Sequence, residues 1–149
     1  MEAPDISCAV FNLRKTTRTI TQLYDEILRP TGLRSTQYSM LRLVSGVGPI
    51  AVSDLGNTMG MDRTTVTRNV RLLERMGYLR IEPGRDRRTR MLRVTTRGRT
   101  AVDKAEPYWK KAQTIVTDGL GGERWKRLRS ELAAITEVGR QGLQEKEMT

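Results

Sequence analysis

Between Ser53 and Gly98 the sequence punctuates its apolar spacing with turn residues at short intervals, and few folds accept that pattern. Ser53 reads as the N-cap of a short helix containing Leu55 and Met59, closed by Gly60. Asp62 then reads as the cap of a second helix, with Val66, Val70 and Leu73 at steps of 4 and 3 facing inward and Gly77 at its end. Tyr78 to Glu82 alternates as a half-buried strand does, Pro83-Gly84 begins a turn, Arg85 to Arg88 occupies the tip, and Met91 to Val94 returns. Two short helices joined at a tight glycine turn make a helix-turn-helix pattern, and a hairpin directly after the second helix makes a wing. The fold class expected is mainly α with a small β-hairpin wing, a winged helix-turn-helix carried on a helical dimerisation scaffold.

The scaffold is read from the flanks. From about Ile6 to Leu28, Val10, Leu13, Thr17, Ile20, Tyr24 and Ile27 recur at steps of 3 and 4, a helix with one seam that Pro30 and Gly32 stop. A second helix is expected from Ser35 or Thr36 through Tyr38, Leu41 and Val44, ended by Gly46, Gly48 and Pro49. Thr95 caps a further helix with Gly98 in its first turn; Val102, Ala105, Trp109, Ala112 and Val116 line its seam, and Pro107 is expected to kink or break it. After Gly119, Gly121 and Gly122, a last helix presents Trp125, Leu128, Leu132, Ile135, Val138 or Gly139, and Leu143. So narrow a seam buries little within one chain, and a second copy of the chain is its natural cover. The expected division is a dimerisation helix over 1–34, the winged domain over 35–98 and dimerisation helices over 99–149, intertwined as one domain.

Charge identifies the class of partner. The 149 residues carry a net charge of +10, concentrated in residues 62–99, where 12 basic side chains face 4 acidic ones. All 12 are arginine, whose planar fork bonds bidentately to guanine edges or phosphate and enters a narrow minor groove. The expected partner is double-stranded DNA; RNA is less suited, because Tyr78 is the one aromatic residue in this basic segment. Catalysis is not expected: the chain has no histidine, no phosphate-loop lysine motif and no paired metal-ligand spacing, so neither cofactor nor metal is called for. Gly46-Val47-Gly48 is a turn. A single cysteine, no apolar run of spanning length and no leader pattern lead us to expect a cytoplasmic protein of bacterial type, nucleoid-associated when bound and with no membrane partner.

Within the basic segment, Arg63, Thr64, Thr65, Thr67, Arg68 and Arg71 lie opposite the inward face of the second short helix. Early residues of such a helix reach base edges, and threonine bonds a base or touches a thymine methyl. At the hairpin tip Arg85, Arg87 and Arg88 surround Asp86, which is read as an orienter of a neighbouring arginine. Asp86-Arg87-Arg88 through Val94-Thr95-Thr96-Arg97-Gly98 resembles the wing signature of the MarR (multiple antibiotic resistance regulator) family. Thr64 to Arg68, and Leu73-Glu74-Arg75-Met76-Gly77-Tyr78-Leu79, are similar to that family's recognition helix and the turn after it.

The resemblance implies a homodimer on a pseudo-palindromic operator, usually a repressor, released by a small aromatic or phenolic effector held between the dimerisation helices and the winged domain. It implies that Arg88 enters the minor groove with Asp86 as its partner. Arg18, Tyr24, Tyr38 and Leu41 are the candidate walls of an effector pocket. Cys8 lies two residues before the peroxide-sensing cysteine of some members, so cysteine-based redox sensing is a minor alternative. The wider alternatives are a nonspecific architectural DNA binder and a winged-helix module for protein assembly, which sequence-selective binding distinguishes.

Overall fold

The computed structural model of the chain describes residues 7–148. Helix α1 (Ala9–Leu28) follows the N-cap Cys8, whose carbonyl accepts the backbone and side-chain amides of Asn12; Ile6, the expected start, lies outside the described residues. Pro30 sits in a 3₁₀ turn (Arg29–Thr31) that Gly32 closes at φ 76°. Helix α2 (Ser35–Val47) is started by side chains: Asp25 accepts the Ser35 amide at 2.7 Å and Gln37 accepts the Arg34 amide at 2.9 Å. Both bonds satisfy amides that a helix start leaves open. Gly46 does not end α2 but lies within it, and the chain turns at Gly48.

A strand that the sequence pattern does not announce follows. Strand β1 (Ile50–Ala51) pairs antiparallel with β3 (Arg90–Val94), which pairs on its other side with β2 (Leu79–Pro83), so the sheet order is β1-β3-β2. Two residues are too few to display a period of 2. Because Ala51 is still extended, it is the N-cap of α3 (Val52–Met59), and Ser53 lies inside the first turn instead of capping it. The hairpin itself sits as expected to within a residue: Ile81 faces Leu92 and Leu79 faces Val94 in register, with Leu79, Leu92 and Val94 buried.

After α4 (Arg63–Arg75) and the hairpin, Thr95 joins the elements together. Its hydroxyl donates to the Gly77 carbonyl at 2.6 Å and accepts the Gly98 amide at 3.0 Å, opening α5 (Thr96–Leu120). Gly98 is required here by close approach: a Cβ would stand 2.2 Å from the Tyr78 carbonyl oxygen. Pro107 does not break α5, which continues as one helix through it. A proline removes one backbone donor, and the neighbouring turns are enough to hold the helical path.

The chain divides into two units after Lys110. The core of the first joins Leu28, Leu41 and Val44 to Leu55, Val66, Val70, Leu73, Leu92 and Ala105. Each large side chain so buried contributes about 1.5–3 kcal/mol of transfer free energy. The second unit includes α6 (Gly122–Glu147), which buries no side chain: Leu128, Leu132, Ile135, Val138 and Leu143 are all exposed. Among the described residues no helix is long and apolar enough to cross a membrane.

Candidate nucleic-acid interface

The interface is built on the turn between α3 and α4. Gly60 takes the left-handed conformation, φ 65°, and its amide bonds back to Asn57. Gly56 packs beneath Val66, with its Cβ position 3.2 Å from a Val66 methyl carbon, so the two helices approach closely. Asp62 then caps α4 by accepting the Thr65 amide at 2.7 Å, and this bond holds its carboxyl below the usual carboxylate range.

Val66, Val70 and Leu73 are buried, which fixes the rotation of α4 about its axis. Arg63, Thr64, Arg68 and Arg71 are left exposed, while Thr65 and Thr67 are half-buried. Asn69, on the same helix, donates to the Thr65 carbonyl at 2.9 Å. Gly77, at φ 78°, turns the chain out of the helix and into β2.

At the hairpin tip Arg85, Asp86, Arg87 and Arg88 are all exposed. Asp86 accepts the backbone amide of Arg88 at 3.1 Å and its carbonyl accepts the Thr89 amide, so the acid shapes the tip through the backbone. Among the described residues Arg63, Arg68, Arg71, Arg85, Arg87 and Arg88 form no ion pair. The paired strands differ, because Glu82 accepts from Arg93 at 2.9 Å and lies 3.9 Å from Arg80. Uncompensated positive charge is therefore concentrated on α4 and the tip.

A cleft of about 840 Å³ runs between them. It brings together Arg63, Thr67 and Arg71 of α4 with Arg88 of the tip; Thr64, Thr65, Arg68, Arg85, Asp86 and Arg87 do not line it. Ser53 and Asn57 of α3 and Arg90 of β3 share the cleft, and sequence spacing did not single them out. Arg90 had a signal in the arginine run itself; the two α3 residues had none, since their place beside α4 follows from how the two helices pack at Gly56 and Val66.

The four residues considered for an effector pocket do not share one cavity. Tyr38 and Leu41 are core residues, 1% and 0% exposed. The Tyr38 ring stacks on Trp109 at 5.9 Å, and Arg42 donates to its hydroxyl at 3.2 Å while lying 4.5 Å from the Trp109 ring centre. Burial pushes the phenols of Tyr24 and Tyr38 upward in pKa. Arg18 lies in a separate groove of about 620 Å³ with Thr17, Asp25 and Arg34. Cys8 is exposed at the start of α1.

Known proteins share this arrangement. A sequence profile described as the MarR family matches residues 31–89, which include α3, α4 and most of the hairpin. An uncharacterised helix-turn-helix transcriptional regulator of Bacillus subtilis, YwoH, is 28% identical over 86 residues, and that match spans 58% of this chain and 63% of YwoH. The Mycobacterium tuberculosis transcriptional regulator MosR, solved in complex with DNA, is 36% identical, covers 91% of this chain, is itself 98% covered, and superposes with a TM-score of 0.84. A probable transcriptional regulator of Pseudomonas aeruginosa has the same fold at 22% identity, with 87% and 97% of the two chains covered and a TM-score of 0.78. With its Asp62-capped helix α4, its arginine-tipped hairpin and its likeness to MosR over 91% of its length, the chain belongs to the MarR family of transcriptional regulators.

Proposed function

We propose that the chain is a sequence-specific, double-stranded-DNA-binding repressor that acts as a homodimer on a pseudo-palindromic operator in the bacterial cytoplasm. The observation that carries this reading is the placement of six unpaired arginines on α4 and the hairpin tip. Thr64, Thr65, Thr67 and the arginines of α4 would read base edges in the major groove, and Arg85, Arg87 and Arg88 would enter the adjacent minor groove. Asp86 holds the tip in shape for that entry. MosR has been solved in complex with DNA, which supports this reading for a chain 36% identical to it.

The dimer is supported by the apolar side chains left exposed on α1 and α6, including Phe11, Ile20, Leu132 and Ile135. In this reading residues 1–34 and 99–149 pair two copies while residues 35–98 bind DNA. Two recognition helices so paired meet half-sites about one helical turn apart. A small aromatic or phenolic effector would release the operator by changing the separation of those helices.

The test is selection of genomic fragments with the purified protein, then footprinting at near-physiological salt. A protected inverted repeat is expected. Uniform, steeply salt-sensitive binding with no preferred duplex would favour an architectural role instead. On the selected site Arg88→Ala is expected to weaken binding by about 1–3 kcal/mol, and an unchanged affinity in a salt-matched titration rejects the wing assignment.

A further inference from the structure

The arginine run that gives the hairpin its charge also brackets a threonine. Thr89 follows Arg85, Arg87 and Arg88 and directly precedes Arg90, so its hydroxyl has cations on both sides along the chain. It lies in the tip, after β2 ends at Pro83 and before β3 begins at Arg90. Two backbone bonds hold it there: its amide donates to the Asp86 carbonyl at 2.9 Å, and its carbonyl accepts the Gly84 amide at 2.7 Å. The side chain is half-buried, and its hydroxyl is bonded to no other described residue. Thr89 also lines the cleft beside α4, together with Arg88, Arg90, Arg63 and Arg71. Among the described residues Glu74 is the one carboxylate in that lining.

We propose that Thr89 is a phosphorylation site for a serine/threonine kinase that selects basic segments, and that the phosphate closes the cleft to DNA. The Thr89 hydroxyl oxygen attacks the γ-phosphorus of a nucleoside triphosphate. The bond from that phosphorus to the β–γ bridging oxygen breaks, the nucleoside diphosphate leaves, and the hydroxyl proton passes to the carboxylate base of the kinase. An acidic substrate groove on the kinase reads the arginines as a charge pattern. In-line attack needs a hydroxyl on backbone that can enter such a groove, and this separates Thr89 from its rivals. The threonines of α4 lie within a helix, as does Ser130 of α6, which follows Arg127 and Arg129. Thr95 commits its hydroxyl to the Gly77 carbonyl and the Gly98 amide.

The position gives the modification its effect. A phosphate adds a charge of about −1.5 to −2 and three strong acceptor oxygens. Set in a cleft with Arg63, Arg71, Arg88 and Arg90, it cancels up to about half of their charge and offers their guanidinium forks a partner. A DNA phosphate arriving at the same place meets an occupied fork and a like charge. The consequence for DNA rests on the reading of this cleft as the DNA-binding face, whereas phosphorylation of Thr89 does not.

The experiment treats the full-length protein with the catalytic fragment of protein kinase C, magnesium and ATP, and locates the phosphate by peptide mass spectrometry. Incorporation at Thr89 is expected in wild type and in Ser130→Ala; it is retained in Thr89→Ser and lost in Thr89→Ala. No incorporation, or incorporation confined to Ser130 or the threonines of α4, overturns the proposal. The phosphorylated protein and its untreated form are then titrated with a mixed-sequence DNA duplex at fixed salt. Affinity is expected to fall by about tenfold or more, since loss of one charge-assisted hydrogen bond already has that effect. The same treatment leaves the affinity of Thr89→Ala where it was, and the unfolding midpoint of the phosphorylated protein does not move. Undiminished binding by the phosphorylated protein overturns closure of the cleft, as does a loss that accompanies unfolding. Weakened binding in a protein that prefers no duplex upholds the Thr89 switch and rejects the sequence-specific repressor reading alone.

Discussion

Helices α4 and α6 carry the same kind of apolar seam and meet opposite fates. In α4 three inward residues, Val66, Val70 and Leu73, are fully buried, and the polar face is the one left to solvent. In α6 the seam is longer, yet Leu128, Leu132 and Ile135 are 37–39% exposed and no side chain of the helix is buried. Periodicity thus states that a face will be covered without stating by what. For α4 the cover is the sheet and the neighbouring helices of the same chain. For α6 we assign it to the second copy of the proposed dimer. The two regions should accordingly fail in different ways: loss of packing around α4 is felt by every single chain, whereas loss of the α6 seam is felt through association, and therefore through protein concentration.

The largest effect is expected at the joint that holds α4 to α5. Gly98→Ala places a Cβ 2.2 Å from the Tyr78 carbonyl oxygen and 2.8 Å from a Val94 methyl carbon. Backbone atoms must move to admit it, at a cost of about 3 kcal/mol or more. Denaturant unfolding of wild type and variant measures this, and the difference should not vary with protein concentration. A concentration-dependent loss would mean that the joint itself belongs to the subunit contact, and the contrast between the two regions would fail.

Next in size is the seam. Leu132→Glu places a charge on the exposed stripe of α6, in a position that costs a lone monomer little because it is already open to water. Within a dimer the same charge is desolvated, and association should weaken by about 2–3 kcal/mol. Sedimentation velocity is expected to show monomer at micromolar concentrations, with circular dichroism of the winged domain retained. A variant that remains dimeric would show that the seam is covered by something other than a second copy.

The same contrast explains what the sequence could disclose. The winged module was readable because its boundaries are marked by single residues with single jobs. Asp62 caps, Gly60 and Gly77 turn left-handed, and Thr95 accepts the amide three residues on. Where the marker is ambiguous, the reading slips. Ser53 looks like a cap, but pairing of Ile50 and Ala51 with β3 keeps the chain extended up to Ala51, and the helix begins one residue before the serine. β1 itself depends on a partner some forty residues away, which no local pattern contains. For the candidate site, the arginines of α4 and the tip were named from charge and spacing. That Ser53 and Asn57 face the same cleft depends on how α3 crosses α4, which is set by the Gly56–Val66 contact. The Arg42–Trp109 contact was missed for the same reason, as it links α2 to α5.

The smallest effect sharpens the comparison from the α4 side alone. The Thr65 amide holds the Asp62 carboxyl below its usual range in the folded chain. The folded state therefore binds this proton less readily than the unfolded state, and the stabilisation is fully present above the ordinary aspartate pKa. It is lost as the pH falls through the lower value of the folded protein. At neutral pH Asp62→Ala should cost less than either change above, because the carboxyl is exposed and water competes for it. Asp62→Asn keeps a capping acceptor, so it should retain most of the neutral-pH stability and lose the acid dependence. Unfolding midpoints of wild type and both variants from neutral to acid pH measure this, and at high protein concentration the difference should remain. α6 is preceded by Gly121, which has no side chain to cap it, so the capping bond tested here has no counterpart at that start. If wild type and Asp62→Asn lose stability in parallel on acidification, the Asp62–Thr65 bond is not what responds to pH, and the rotation of α4 is held by Val66, Val70 and Leu73 alone.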